Sequence, residues 1–315
     1  MKFKVAVIGA GYFGQRHIKI LTEMSDVEIV GVVDIDINKA KEVADNYGLR
    51  YFSDYRDLVN EAEVFFVITP TVTHFDIGLD LIKHAKAIFI EKPLTERPAF
   101  AEILLEEAKN RNVIIQAGLI ERYNPVVKAL FNSLTEPLFI QTTRVSPFLG
   151  RATDTDVTYD LMIHDLDLVW MMLKKVGDFE LKRMKVFTQK IVTSRIDYAT
   201  VWMEFSTKRG IIKAHLTASR VSSDFLRQIS VVQHNSVLYA DLINKKLKKV
   251  DQGGNIDDIN VTDKDSNSLY EEIRDFLNSV KNGKPSVQAP SPRETIEVLR
   301  IIDEINERRE YEAIY

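Results

Sequence analysis

The chain opens with apolar runs that alternate with amphipathic stretches. Val5 to Ile8 is apolar throughout, Ile18, Ile20, Leu21 and Met24 recur at helical spacing, and Val27 to Val33 is apolar again. Short continuous apolar runs read as buried strands, and a period near 3.6 reads as a helix. The same alternation predicts helices over Asn38 to Tyr47, Asp54 to Asn60, Phe75 to Lys83 and Phe100 to Asn110. It predicts strands at Tyr51 and Phe52, Val64 to Ile68, Ala87 to Ile90 and Val113 to Gln116. Strands alternating with helices imply a parallel sheet covered on both faces.

The pattern changes after Gly118. A helix over Asn124 to Leu134, a strand over Leu138 to Val145 and one long helix over Asp156 to Leu173 come first. Strand-like segments follow at Met184 to Val192, Tyr198 to Phe205, Gly210 to Ala218, Arg227 to Gln233 and Val237 to Leu242. Few helices separate them, so this second sheet is expected to be open and largely antiparallel. Helices over Leu269 to Val280 and Arg293 to Glu307 end the pattern.

The first strand and helix are joined by Gly9, Gly11 and Gly14 in G-x-G-x-x-G spacing, with Tyr12 and Phe13 between the last two. Gly9 permits a sharp turn, Gly11 lets a pyrophosphate approach the backbone, and Gly14 lets helix and strand pack closely. The N–H groups opening the helix face the phosphates. Asp34 ends the second strand twenty residues after Gly14, where a carboxylate binds the adenine ribose hydroxyls. Strand, glycine turn, helix, strand and acid together predict dinucleotide binding. Asp34 repels a 2′-phosphate and no Arg or Lys follows until Lys39, which favours NAD over NADP. The fold class is therefore α/β: a Rossmann doubly wound parallel sheet over residues 1–120 binds NAD. An α+β domain over residues 121–315 is expected to serve substrate binding and oligomer formation, with the C-terminal helices free to pack back on the first domain. No long linker intervenes, so the two are expected to pack directly.

Composition narrows the partners. The 315 residues carry a net charge of −4 and no basic stripe or arm, which argues against nucleic acid. No apolar run reaches the length of a membrane span, and Met1 leads straight into the first strand without a signal peptide. There is no cysteine, so disulfides, thiolate metal sites and a cysteine nucleophile are excluded, and the cytoplasm is the simplest address.

The chemistry is expected at the carboxyl ends of the parallel strands, where Gly9, Asp34, Thr69 and Lys92 fall. Lys92 follows Glu91 and precedes Pro93, whose peptide bond tolerates the cis form. A second constellation is Asp160, His164 and Asp167, whose i, i+4, i+7 spacing puts them on one helical face. Such a face is either solvated, a metal site or a base. Metal is disfavoured because no further His or carboxylate pair stands at ligand spacing. A histidine tuned by an adjacent carboxylate suits a general base.

Four features make the chain resemble the glucose–fructose oxidoreductase, inositol dehydrogenase and rhizopine catabolism protein (Gfo/Idh/MocA) family. They are G-x-G-x-x-G-x-x-H at Gly9, Gly11, Gly14 and His17; T-P-T-x-x-H at Thr69, Pro70, Thr71 and His74; E-K-P at Glu91 to Pro93; and D-x-x-x-H-x-x-D at Asp160, His164 and Asp167. The resemblance implies that Lys92, Asp160 and His164 are the catalytic set. It also implies that Gly9, Gly11, Tyr12, Phe13, Gly14, Asp34, Thr69, Pro70, Thr71, His74, Glu91 and Lys92 meet the cofactor. Glu121-Arg122-Tyr123-Asn124-Pro125, with Ser146-Pro147-Phe148 and Arg151, is similar to the UDP-N-acetylglucosamine 3-dehydrogenase branch, from which Leu119 departs.

That branch implies oxidation of a secondary hydroxyl of a sugar, C3 of a UDP-N-acetylhexosamine, with Arg122, Tyr123, Asn124, Asp160 and His164 at the substrate. Arg144 and Arg151 are expected near its diphosphate or, equally, in solvent. Alternatives are another sugar or polyol dehydrogenase, an NAD-recycling glycosidase or eliminase, and a non-catalytic NAD sensor. Read with period two, Tyr198 to Phe205 sets Ala199, Val201, Met203 and Phe205 against Tyr198, Thr200, Trp202 and Glu204. The mixed second face predicts a homodimer or homotetramer through the open sheet.

Overall fold

The structure, a computed structural model, describes residues 2–150 and 155–308; Arg151 lies outside them. The described chain falls into two compact units, residues 2–119 with 269–296, and residues 120–268 with 297–308.

The first unit runs β1 (Phe3–Ile8), α1 (Tyr12–Glu23), β2 (Val27–Val33), α2 (Ile37–Asp45), β3 (Tyr51–Phe52), β4 (Val64–Val67), α3 (His74–Leu81), β5 (Ala87–Glu91), α4 (Pro98–Asn110) and β6 (Ile114–Gly118). Its six strands stand in the order β3-β2-β1-β4-β5-β6 and all pair in parallel. The order reverses between β1 and β4, which opens a crevice at the carboxyl ends of those strands. Val5 to Ile8, Val64 to Val67 and Ala87 to Ile90 are buried, as strands covered on both faces must be. The helix Ser268–Asn282 closes one face: Phe276 meets Phe66 and Phe89 edge-on at 5.5 and 5.6 Å, and Arg274 Nη1 reaches Asp26 at 2.7 Å.

The second unit contains α5 (Pro125–Ser133), β7 (Pro137–Val145), α6 (Ile163–Val176), β8 (Phe179–Gln189), β9 (Tyr198–Thr207), β10 (Gly210–Ser219), β11 (Leu226–Gln233), β12 (Ser236–Asp241), β13 (Lys246–Asp251) and β14 (Ile256–Ile259). The sheet order is β14-β13-β12-β11-β7-β10-β9-β8, antiparallel throughout except for β7 beside β10. One face packs on helices. Ala199, Val201, Met203 and Phe205 are buried there with Ile212, Ala214 and Leu216. Trp170 of α6 meets Phe205 edge-on at 5.5 Å. The period-two reading of these strands is the observed one.

Three expectations need correction. β13 and β14 were not predicted, because Lys246, Lys248 and Lys249 crowd β13 and Leu247 alone is fully buried, as suits strands at a sheet edge. β8 begins at Phe179 rather than Met184, since Glu180, Lys182 and Arg183 mask its alternation. The long helix begins with a π-helical turn over Thr158–Met162, and only from Ile163 does α6 follow. No helix among the described residues is long and apolar enough to cross a membrane.

Candidate active site

The glycine turn is shaped by contact. Gly9 has φ 105°, and a Cβ there would lie 2.2 Å from the Ile68 carbonyl oxygen. At Gly14 a Cβ would lie 1.9 Å from the Gly9 carbonyl oxygen, so the helix can start against the turn only without a side chain. Gly11 differs: a Cβ there would meet nothing nearer than Lys39 Nζ at 3.7 Å, so the space in front of its backbone is open. Gly11 also caps α1 without a side-chain hydrogen bond. An open glycine at the positive end of a helix fits a dinucleotide pyrophosphate.

Asp34 is tied to that turn. Its Oδ2 accepts the Ala10 N–H at 2.8 Å and its Oδ1 accepts the Asp36 N–H at 3.1 Å. Lys39 Nζ stands 3.6 Å from Oδ2, so the first base after Asp34 folds back to it. We expect Asp34→Ala to weaken NAD about tenfold, the worth of one charged hydrogen bond. The variant is also expected to narrow the gap to NADP, because Lys39 then faces a 2′-phosphate without its carboxylate. Calorimetric titration of both nucleotides checks this; tighter NADP than NAD in the parent protein would contradict it.

Beyond β4, the Thr73 hydroxyl donates to Thr69 Oγ1 at 2.7 Å and holds the Thr69-Pro70-Thr71 turn. His74, expected at the cofactor, is 1% exposed and does another job. Its Nδ1 lies 2.9 Å from the Pro93 carbonyl oxygen and its Nε2 2.8 Å from that of Thr69. Burial lowers its pKa, against the pull of the two carbonyls, so a neutral ring donates to one of them. It joins the turns that follow β4 and β5. At the end of β5, Glu91 Oε1 lies 2.9 Å from His17 Nε2 and Oε2 accepts the Lys92 N–H at 3.1 Å. The Lys92–Pro93 bond is cis.

In the second unit stand Asp160 and His164. Asp160 sits within the π-helical turn, a feature frequent at functional sites, and His164 on the first turn of α6, 9% exposed. Asp160 and Leu161 line a cleft of about 70 Å³ with Pro147, Phe148, Phe225 and Arg227. Asp167 does not join them at the surface. Both its oxygens take Arg122, Nη2 at 2.7 Å and Nε at 2.8 Å, in a pair that is almost wholly buried.

The other expected substrate residues of this unit are largely spent on the fold. Tyr123 is buried, and Asn124 caps α5 by accepting the Val126 N–H at 3.0 Å. Arg144, expected near a diphosphate, is 2% exposed. Its guanidinium donates to Asp165 at 2.9 and 3.1 Å and to Glu121 at 2.7 Å. Burial pushes the Asp165 pKa up despite Arg144. Burial also opposes ionisation of Glu121, but Arg144 outweighs it and holds its pKa below the usual range. The sequence reading missed Arg227, which lies 3.5 Å from Glu121 with a side chain 49% exposed. It is thus the cation of this network that reaches solvent. Its alternation within β11 carries no signal of that; only the fold reveals it.

Residues 3–119 match the Gfo/Idh/MocA sequence profile, described as an oxidoreductase family with an NAD-binding Rossmann fold. The chain is 30% identical over 290 residues, 90% of each protein, to the UDP-N-acetylglucosamine 3-dehydrogenase of Acidithiobacillus ferrooxidans. The solved structure of UDP-N-acetylglucosamine 3-dehydrogenase GnnA from that organism superposes with a TM-score of 0.89 at 27% identity, covering 98% of this chain and 97% of that one. An inositol dehydrogenase homologue from Azotobacter vinelandii, complexed with NADH and myo-inositol, shares the fold with a TM-score of 0.85 at 18% identity, covering 99% and 96%. Glycine turn, tethered aspartate, lysine strand end and full-length likeness converge: the chain belongs to the Gfo/Idh/MocA family of NAD-binding oxidoreductases.

Proposed function

We propose that the protein oxidises a secondary hydroxyl of a nucleotide sugar, C3 of a UDP-N-acetylhexosamine, to the ketone. The observation that carries this is the 30% identity over 90% of both chains to a UDP-N-acetylglucosamine 3-dehydrogenase. Lys92, Asp160 and His164 are the proposed catalytic set. The imidazole of His164 takes the hydroxyl proton as the carbon gives up hydride. Lys92 hydrogen-bonds the same oxygen and stabilises the negative charge that develops on it. Asp160 orients His164 or holds a neighbouring hydroxyl. NAD would be held by the turn from Gly9 to Gly14 and by Asp34, and would supply the hydride-accepting chemistry. Arg227, half exposed in the cleft that Asp160 and the buried Arg144 also line, is the guanidinium offered to an anionic substrate.

Incubation with NAD and a panel of UDP-sugars and free polyols tests the reading. Stoichiometric NADH with UDP-N-acetylglucosamine supports it. NADH with polyols alone makes the protein a different sugar dehydrogenase. Sugar conversion without net NADH points to a recycling enzyme.

The open face of the second sheet is proposed as the contact between copies. Across it run Lys185, Trp202, His215, Gln141, Ser230, Tyr239 and Lys248 in register. Trp202 is 48% exposed and stacks on His215 at 4.1 Å, with Phe187, Ile211 and Tyr239 about as exposed. Large rings with polar neighbours suit an interface that is isologous about a two-fold axis. Light scattering is expected to give a dimer or tetramer, and Trp202→Glu a smaller species. A parent monomer at micromolar concentration, or a mass unchanged by the substitution, would remove this face as the interface.

A further inference from the structure

His17 stands on α1, within a turn of Gly14, and is wholly buried. Its ring lies against Phe66 and Phe89, with centroids 5.8 and 5.4 Å away. Nε2 points at Glu91 Oε1, 2.9 Å distant, and the Glu91 side chain is only 17% exposed. A Cβ added at Gly118, opposite Glu91 on β6, would lie 3.1 Å from Glu91 Oε2, so the glycine leaves room for the carboxylate. Burial alone would raise the Glu91 pKa. The His17 hydrogen bond and the Lys92 charge more than offset it, and Glu91 is held ionised. Its second oxygen takes the Lys92 N–H. On the other side of Lys92, the Pro93 carbonyl oxygen lies 2.9 Å from His74 Nδ1.

A polar pair in an aromatic pocket is an uneconomical way to stabilise a fold. An apolar side chain between Phe66 and Phe89 would pack as well without desolvating a carboxylate. What the pair adds is direction. It ties the helix that begins at the glycine turn to the backbone amide of Lys92. We propose that His17, acting through Glu91, is a positioning residue for Lys92. His17 donates Nε2–H to Glu91, which fixes the Lys92 amide and so the course of its side chain at the strand end. The inference rests on the reading of Lys92 as catalytic.

The test compares His17→Leu, His17→Gln and Lys92→Ala, and combines the first with the last. His17→Leu is expected to lower kcat about 10- to 100-fold, the cost of a misdirected catalytic group, with NAD affinity within about threefold of the parent. Gln, whose amide nitrogen can donate where Nε2 does, is expected to restore most of the rate. In the Lys92→Ala background His17→Leu should cost nothing further, because its effect passes through Lys92. A folded His17→Leu variant with the parent kcat, beside an inactive Lys92→Ala, overturns the inference alone. So does a loss that multiplies with that of Lys92→Ala. Normal turnover in Lys92→Ala overturns the reading of Lys92 and this inference together. Should His17→Leu fail to fold, Glu91→Gln carries the same comparison, since it keeps the shape and weakens the hold on the Lys92 amide.

Discussion

Lys92→Ala and His164→Ala are each expected to lower turnover on the true substrate by about 100-fold or more while NAD still binds. The expectation follows from where each residue stands. Lys92 follows β5, which lies between β4 and β6, so it leaves the sheet at the carboxyl end where ligands of such sheets bind. Its backbone N–H is held by the Glu91 carboxylate. An amine held there can meet a developing alkoxide without first being ordered, which is what makes electrostatic stabilisation effective. His164 opens α6 just after the π-helical turn that carries Asp160, and an imidazole is a side chain suited to accept a proton. Lys92 is expected beside the cofactor, but neither residue lies in the glycine turn or at Asp34, so most of the nucleotide affinity should survive both changes. Steady-state rates with fluorescence titration of NADH separate the two effects. Normal turnover in both variants would show that the catalytic set is wrong.

The largest stability effect is expected at Arg144. Arg144→Leu removes the cation that lies between Asp165 and Glu121, and leaves two buried carboxylates with the half-exposed Arg227, 3.5 Å from Glu121, as the remaining cation of the network. Breaking a buried ion pair by deleting one partner costs about 3–5 kcal/mol, because the remaining charge keeps its desolvation penalty. The pH dependence has a definite sign. Without Arg144, burial and mutual repulsion raise the folded-state pKa of both acids above their unfolded values. A raised carboxyl pKa costs stability in full above the folded-state pKa, and the cost fades as pH falls from there to the unfolded-state pKa. The deficit of Arg144→Leu relative to the parent should therefore be greatest near neutrality and shrink toward about pH 5. Urea unfolding at the two pH values measures it. A variant within about 1 kcal/mol of the parent at neutral pH would mean the network contributes far less than a buried pair should.

The first unit was legible because each of its signals is local. Gly9, Gly11, Gly14 and Asp34 act within one strand–turn–helix–strand, and the apolar runs of β1, β4 and β5 have no other use than burial. His17 and His74 carried a family signal but not their role. Their partners, Glu91 and Pro93, are 74 and 19 residues away, and only the sheet brings them together. The second unit was harder for the same reason. Spacing put Asp160, His164 and Asp167 on one helical face, yet the π-helical turn breaks that register and Arg122 takes Asp167 inside. Arg144 and Arg227 look alike in sequence and stand directly opposite each other on β7 and β11. One is consumed by Asp165 and Glu121, and the other reaches solvent; which is which depends on packing that no periodicity encodes.

The most direct test of the account is the fate of one hydrogen. UDP-N-acetylglucosamine carrying deuterium at C3 should give NADH that holds one deuterium, and a keto sugar from which it is gone. NADH without the label would place the oxidation at another carbon. A sugar product that keeps its deuterium, with no NADH released, would contradict the proposed dehydrogenase.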